Sequence, residues 1–170
     1  MKTNSVRFFN ETKIKTVCND CELILAAWAL KNPSNIGHII RLAHNVAAKR
    51  ALFTGNVENF RESKIKKTAG FSYDQMDWQM VSNDEFMTNH QTNSNLVILE
   101  TCAGSTSIFD TRLPKKALLL AGNEAHGLPP EIIKMNVVKV HIPMPGNCKS
   151  MNISHALSVA AFEWHRQHSS

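Results

Sequence analysis

Lys116-Ala117-Leu118-Leu119-Leu120-Ala121, running straight into Gly122-Asn123-Glu124-Ala125-His126-Gly127-Leu128, is the stretch on which the fold turns. After Lys116 the apolar run has strand length and no polar alternation, so the strand must be covered on both faces, as in a parallel sheet. Gly122 predicts a loop at the carboxyl end of that strand, the edge where open α/β sheets bind their ligands. Working outward, Leu96 to Leu99 and Glu22 to Trp28 are further apolar runs, with strands also expected at Arg50 to Thr54 and Val137 to Ile142. Between them, Ile36, Ile39, Ile40, Ala43 and Ala47 follow helical spacing, with Asn35 placed as the N-cap and Gly37, His38, Arg41 and His44 on the polar face. The basic stretch Glu62 to Ala69 and the segment Asn83 to Asn89 read as helices, and Leu128-Pro129-Pro130 opens a short one. Ile153, Ala156, Leu157, Ala160, Ala161 and Trp164 mark a final amphipathic helix. This alternation predicts a single α/β domain over residues 1–170, with a polar lead over 1–20. Its architecture is a three-layer sandwich around a mostly parallel sheet.

Composition narrows the function. A chain of 170 residues, 43% apolar, can bury a core without disulfides or a structural metal. Its apolar runs fall short of the roughly 18 residues that a bilayer requires. Met1 to Asn10 lacks the hydrophobic block of a secretory signal, so no membrane partner and a cytoplasmic location are expected. A net charge of +5 favours a polyanionic partner. The surplus gathers at Lys13 and Lys15 and again at Arg61, Lys64, Lys66 and Lys67, either to track phosphates or as solvated helix faces. Cys18-Asn19-Asp20-Cys21 has the spacing of half a zinc site or a redox pair, but no second pair completes a ligand set, and no metal is expected. The signatures GxxxxGK[ST], GxGxxG and GxSxG are all missing, which argues against a nucleotide hydrolase, an ordinary dehydrogenase or a serine hydrolase.

Three polar, glycine-bearing loops follow strands. They are Asn32-Pro33-Ser34-Asn35-Ile36-Gly37-His38-Ile39-Ile40-Arg41, then Gly122 to Leu128, then Ile142-Pro143-Met144-Pro145-Gly146-Asn147-Cys148-Lys149-Ser150-Met151-Asn152-Ile153-Ser154. In this order they resemble the signature motifs NPxNxGxxxR, GxExxGL and IPMxGxxxSxNxSxA of the SpoU class of RNA ribose methyltransferases, in the SPOUT superfamily. The resemblance covers about Leu23 to Arg166. It implies a deep trefoil knot in the C-terminal part of the sheet, a homodimer built partly on the final helix, and transfer of a methyl group from S-adenosylmethionine to a ribose 2'-hydroxyl of RNA. The product would be S-adenosylhomocysteine.

Carried over position by position, the resemblance makes Leu120, Ala121, Gly122, Ile142, Met144 and Met151 cofactor-binding and Asn35, Arg41, Glu124, Ser150 and Asn152 catalytic or positioning. Lys149, with Lys64, Lys66 and Lys67, would meet RNA phosphates, and His126 falls at a variable position. Arginine is too weak an acid to serve as a base, so Arg41 reads as a phosphate clamp and oxyanion stabiliser. The opening of the first motif and the stretch Lys64 to Tyr73 look like the small enzymes that methylate the wobble nucleotide of certain tRNAs. Pro145-Gly146 looks instead like the larger tRNA and rRNA enzymes. The expected substrate is therefore tRNA, with rRNA open. A base-methylating relative and a non-catalytic knotted RNA-binding module are the alternatives, and Ser150-x-Asn152-x-Ser154 favours ribose chemistry.

Overall fold

Strand β1 (Glu22–Ala27) shows why the apolar runs lack alternation: Leu23, Leu25 and Ala27 join one buried cluster, whereas Ala26 joins another. The same split recurs in β6 (Lys116–Ala121), where Leu119 and Leu120, both 0% exposed, enter opposite clusters. Strands β2 (Arg50–Thr54) and β4 (Leu96–Leu99) repeat it. With side chains alternating across the pleat, both faces of the sheet are core. Three short strands, β3 (Trp78–Val81), β5 (Thr106–Ser107) and β7 (Val138–His141), complete a seven-stranded sheet in the order β3-β2-β1-β6-β4-β7-β5. Every neighbouring pair is parallel. The structure, a computed structural model, describes residues 4–55, 61–123 and 125–169.

Helices cover both faces. α2 (Pro33–Asn45), α3 (Glu62–Ala69) and α7 (Ile153–His168) supply Ile36, Ile39, Ile40, Ile65, Leu157 and Trp164 to the first cluster. α5 (Asn83–His90) and α6 (Pro130–Ile133) supply Phe86 and Ile132 to the second. Two short helices, α1 (Ser5–Glu11) and α4 (Ser72–Gln75), complete the set. The layers are those expected, but α1, α4, β3 and β5 were not legible in the sequence. α1 lies in the supposed polar lead; it is capped by Asn4 and every one of its residues is exposed. The lead is nonetheless tied to the domain, since Val17 pairs antiparallel with Ser169 and the Cys18 N–H donates to the His168 carbonyl at 3.2 Å.

One local expectation needs correction. α2 starts at Pro33, not after Asn35. Asn32 is its cap, accepting from the Ser34 N–H at 3.0 Å, because a proline pre-set for the first helical position places the cap immediately before it. Asn35 is thus inside the first turn, 3% exposed and released from capping. Cys18 and Cys21 are joined by a disulfide that closes the turn ahead of β1, at the end of the sheet opposite the three loops. Among the described residues, no helix is long and apolar enough to cross a membrane.

Candidate active site

The parallel strands deliver the ends of β4, β6 and β7 to one edge of the sheet, and a cavity of about 210 Å³ opens there. Five of the six expected cofactor residues, Ala121, Gly122, Ile142, Met144 and Met151, line it, together with Lys149 and Ser150. Leu120 does not: its side chain is fully buried in the opposite cluster, so only its backbone faces the neighbouring strands.

The second loop is held by a carboxylate that sequence reasoning overlooked. Glu100, one residue past β4, accepts the Leu128 N–H on Oε2 and the Thr101 N–H on Oε1, each at 3.0 Å. Two glycines make room for it. A Cβ on Gly127, whose φ is +66°, would lie 2.6 Å from Glu100 Oε2; one on Gly122 would lie 2.8 Å from the same oxygen and 2.6 Å from the Leu128 nitrogen. Asn123 completes the tie. Its Oδ1 accepts from the Ala125 and His126 N–H groups at 2.8 and 3.3 Å, and its Nδ2 donates to the Ala29 carbonyl, two residues past β1. His126 itself is exposed. Glu100 could have been found as the first polar residue after an apolar parallel strand, by the rule that pointed to Gly122. Glu124 lies outside the described residues.

The first and third motifs meet through one hydrogen bond. Asn152 caps α7, its Oδ1 accepting from the Ser154 N–H and Oγ at 2.8 and 2.7 Å, while its Nδ2 donates to Asn35 Oδ1 at 3.1 Å. One asparagine therefore ends a helix and links two segments 117 residues apart. Ser150 is exposed at the cavity rim, and the Lys149 ammonium donates to the Met144 carbonyl at 2.8 Å, closing the third loop on itself.

Arg41 is exposed on α2 and makes no hydrogen bond or ion pair among the described residues. It does not line the cavity, nor do Lys64, Lys66 and Lys67, all exposed on α3. The two helices are brought together by Gly37, where a Cβ would lie 2.7 Å from the Ile65 carbonyl oxygen and from Thr68 Cβ. Lys66 pairs with Glu62 at 3.1 Å and sits 5.0 Å above the Tyr73 ring. Lys66 and the Tyr73 hydroxyl hold the Glu62 carboxyl below its ordinary range, while burial and Glu62 push the Tyr73 phenol up to about 12.

The cavity suits S-adenosylmethionine chemically. Leu99, Ile142, Met144 and Met151 offer apolar walls for a flat heteroaromatic ring, and Glu100, Thr101 and Ser150 offer polar atoms for hydroxyl and ammonium groups.

Fold and site together define a class of α/β enzyme with its ligand loops gathered at one sheet edge, and comparison with known proteins agrees. Residues 22–162 match the model of the SpoU rRNA methylase family. The chain is 31% identical to a tRNA (cytidine(34)-2'-O)-methyltransferase of Saccharophagus degradans, over 79% of this chain and 88% of that protein. It is 26% identical to the mouse tRNA (guanosine(18)-2'-O)-methyltransferase over 85% of this chain, which spans only 9% of that much longer relative. Its fold superposes on an rRNA methyltransferase from Sinorhizobium meliloti, solved with S-adenosylmethionine bound, with a TM-score of 0.79 at 24% identity. That match covers 88% of this chain and 57% of the other. The chain belongs to the SpoU methylase family, the class of RNA methyltransferases that take their methyl group from S-adenosylmethionine.

Proposed function

We propose that this chain methylates a ribose 2'-hydroxyl of RNA, with tRNA as its substrate, and that residues 1–170 act as one SpoU-type methyltransferase domain. The observation that carries the reading is the Asn35–Asn152 hydrogen bond beside a cavity lined by five expected cofactor residues. When bound, S-adenosylmethionine supplies an electrophilic methyl group on a sulfonium sulfur. Ala121, Gly122, Ile142, Met144 and Met151 hold it, with Leu120 contributing backbone alone. Ser150, at the rim, orients the substrate end of the pocket, and Glu124 orders the second loop. Asn35, fixed by Asn152, positions the first motif against the third. Arg41, without an ion pair among the described residues, clamps an RNA phosphate and stabilises charge developing on the 2'-oxygen. Lys64, Lys66 and Lys67 track the backbone on one side, and Lys149 on the other.

The quaternary and topological expectations of the family extend this reading. Leu99 and Thr106 both align with Val140, so the segment between β4 and β5 straddles β7, an arrangement that supports a trefoil knot. Phe162, 56% exposed on α7 beside half-buried Val159, supports a homodimer formed partly on that helix. We place the enzyme in the cytoplasm with its RNA. tRNA is favoured over rRNA because a relative of which this chain spans 88% is named as acting on tRNA.

The test is transfer of labelled methyl from S-adenosylmethionine to unmodified tRNA and, separately, rRNA, followed by nucleoside analysis. A 2'-O-methylated nucleoside in tRNA is expected, falling at least about a hundredfold with Arg41→Ala, the loss typical of one oxyanion-stabilising donor. Label in rRNA alone would overturn the substrate. Label on a base, or cofactor binding without transfer, would overturn the reaction.

A further inference from the structure

We propose that Phe71 and His44 form a stacking platform for an unpaired nucleobase of the RNA, next to Arg41; this rests on the RNA substrate inferred above. Gly37, Arg41 and His44 are spaced i, i+4 and i+7 on α2 and therefore share one stripe of that helix. At Gly37 the stripe lies against the last turn of α3. Gly70, with φ +59°, then turns the chain out of α3 and sets Phe71 over the far end of the stripe. The Phe71 and His44 rings are stacked, with centroids 6.0 Å apart and planes at 29°. The lower ring is pinned, since His44 Nδ1 is hydrogen-bonded at 3.0 Å to the hydroxyl of buried Ser72. The upper ring is 77% exposed, so its outer face is open to solvent.

The surroundings select the partner. Phe71 is the only large exposed apolar residue on α2, α3, α4 and the turns joining them, among the described residues. A protein partner or a second copy of this chain would bury a contiguous apolar core, and among the described residues of these helices and turns no second large apolar side chain is exposed beside Phe71. Instead, Arg41, Lys64 and Lys67 stand exposed on the two helices that frame the platform, without ion pairs among the described residues. A flat, open aromatic face among uncommitted cations matches a single-stranded polyanion whose bases can stack. The base so held belongs to an unpaired segment flanking the methylated ribose, and the platform orients that segment toward Arg41.

The experiment uses the full chain and RNA stem-loops carrying 2-aminopurine at each loop position in turn. Its fluorescence is quenched when the base stacks. RNA affinity, KM, kcat, S-adenosylhomocysteine affinity and oligomeric state are measured for the wild type and for Phe71→Ala, Phe71→Leu and Phe71→Trp. Phe71→Ala should weaken RNA affinity and raise the RNA KM about tenfold, with kcat and S-adenosylhomocysteine affinity held within about twofold. Quenching at the stacked position should vanish with Phe71→Ala and Phe71→Leu and return with Phe71→Trp. The platform is overturned if Phe71→Ala binds RNA as the wild type does. It is also overturned if leucine restores binding as well as tryptophan, or if the loss follows a change in oligomeric state. Quenching without methyl transfer by the wild type would sink the proposed reaction and leave the platform standing. Transfer that Phe71→Ala leaves untouched would do the reverse.

Discussion

Replacing Gly122 by alanine tests whether the second loop is as closely fitted as its contacts say. The added methyl would meet the Gly127 carbonyl carbon, the Leu128 nitrogen at 2.6 Å and Glu100 Oε2 at 2.8 Å. None of these can retreat freely. Gly127 is bonded to Asn123 through both backbone groups, and the Leu128 N–H is bonded to Glu100. Overpacking of this kind costs about 1–3 kcal/mol. The loss of glycine's freedom in the unfolded chain offsets about 0.4–1 kcal/mol of that. At the middle of both ranges, a net loss of about 1.3 kcal/mol lowers Tm by about 3–5 °C for a domain of this size. Because the loop must move to admit the methyl, affinity for S-adenosylhomocysteine, measured by titration calorimetry, should fall at least about tenfold, or about 1.4 kcal/mol. Gly146→Ala is the control: a Cβ there meets nothing within 4 Å, so affinity should be unchanged and Tm should rise by about 1–4 °C as the unfolded chain loses freedom. Wild-type values for Gly122→Ala, or equal losses in the two variants, would refute the reasoning.

Other perturbations follow from the same contacts. Asn35→Ala removes the acceptor of the Asn152 amide; because Asn152 is exposed and water can replace the partner, stability should drop by only about 1 kcal/mol while kcat falls far more, and an unchanged kcat would remove Asn35 from the active machinery. Glu100→Gln can satisfy only one of the two N–H groups that the carboxylate accepts, so it should cost about 1–3 kcal/mol and weaken S-adenosylhomocysteine binding; full tolerance in thermal melts and titrations would show that the carboxylate charge is dispensable. Glu163, 7% exposed on α7, has its carboxyl lowered by hydrogen bonds from Arg166 and then Gln167. Its folded value lies below its unfolded one, so the stability it contributes is present above about pH 4.3 and is lost as pH falls through the lowered value. Melts of wild type and Glu163→Gln should therefore converge as pH falls below the ordinary carboxylate range, and a constant gap at all pH values would contradict this.

Much of the layout was legible because parallel strands covered on both faces are written as plain apolar runs. Glu22 to Trp28, Leu96 to Leu99 and Lys116 to Ala121 all fall where β1, β4 and β6 lie. The edge strands β3 and β5 were not, because pairing on one side requires no such run; β5 is two residues long. The start of α2 was misplaced by weighing Asn35 as a cap without weighing Pro33. Asn35 as a helix-interior residue turned to Asn152 is a tertiary fact that local spacing cannot contain. Among the expected cofactor residues, the motif pattern led to loops that line one cavity but could not say on which side of the sheet Leu120 points. Glu100 and Phe71 escaped because each acquires meaning only through a partner distant in sequence, Leu128 for one and His44 for the other.

The pairing of Val17 with Ser169 brings the two ends of the folded unit to one point on the amino-terminal edge of the sheet. A strand of six residues separates that edge from the ligand loops by about 20 Å. A segment joined at Val17 or Ser169 is thus attached behind the chemistry, at a common point on the edge away from the mouth of the site. Joining those ends and reopening the chain at a surface turn should leave the loop geometry intact. In evolutionary terms the arrangement works as a socket: recognition modules can be added or removed at the back while the front continues to be selected for a single reaction.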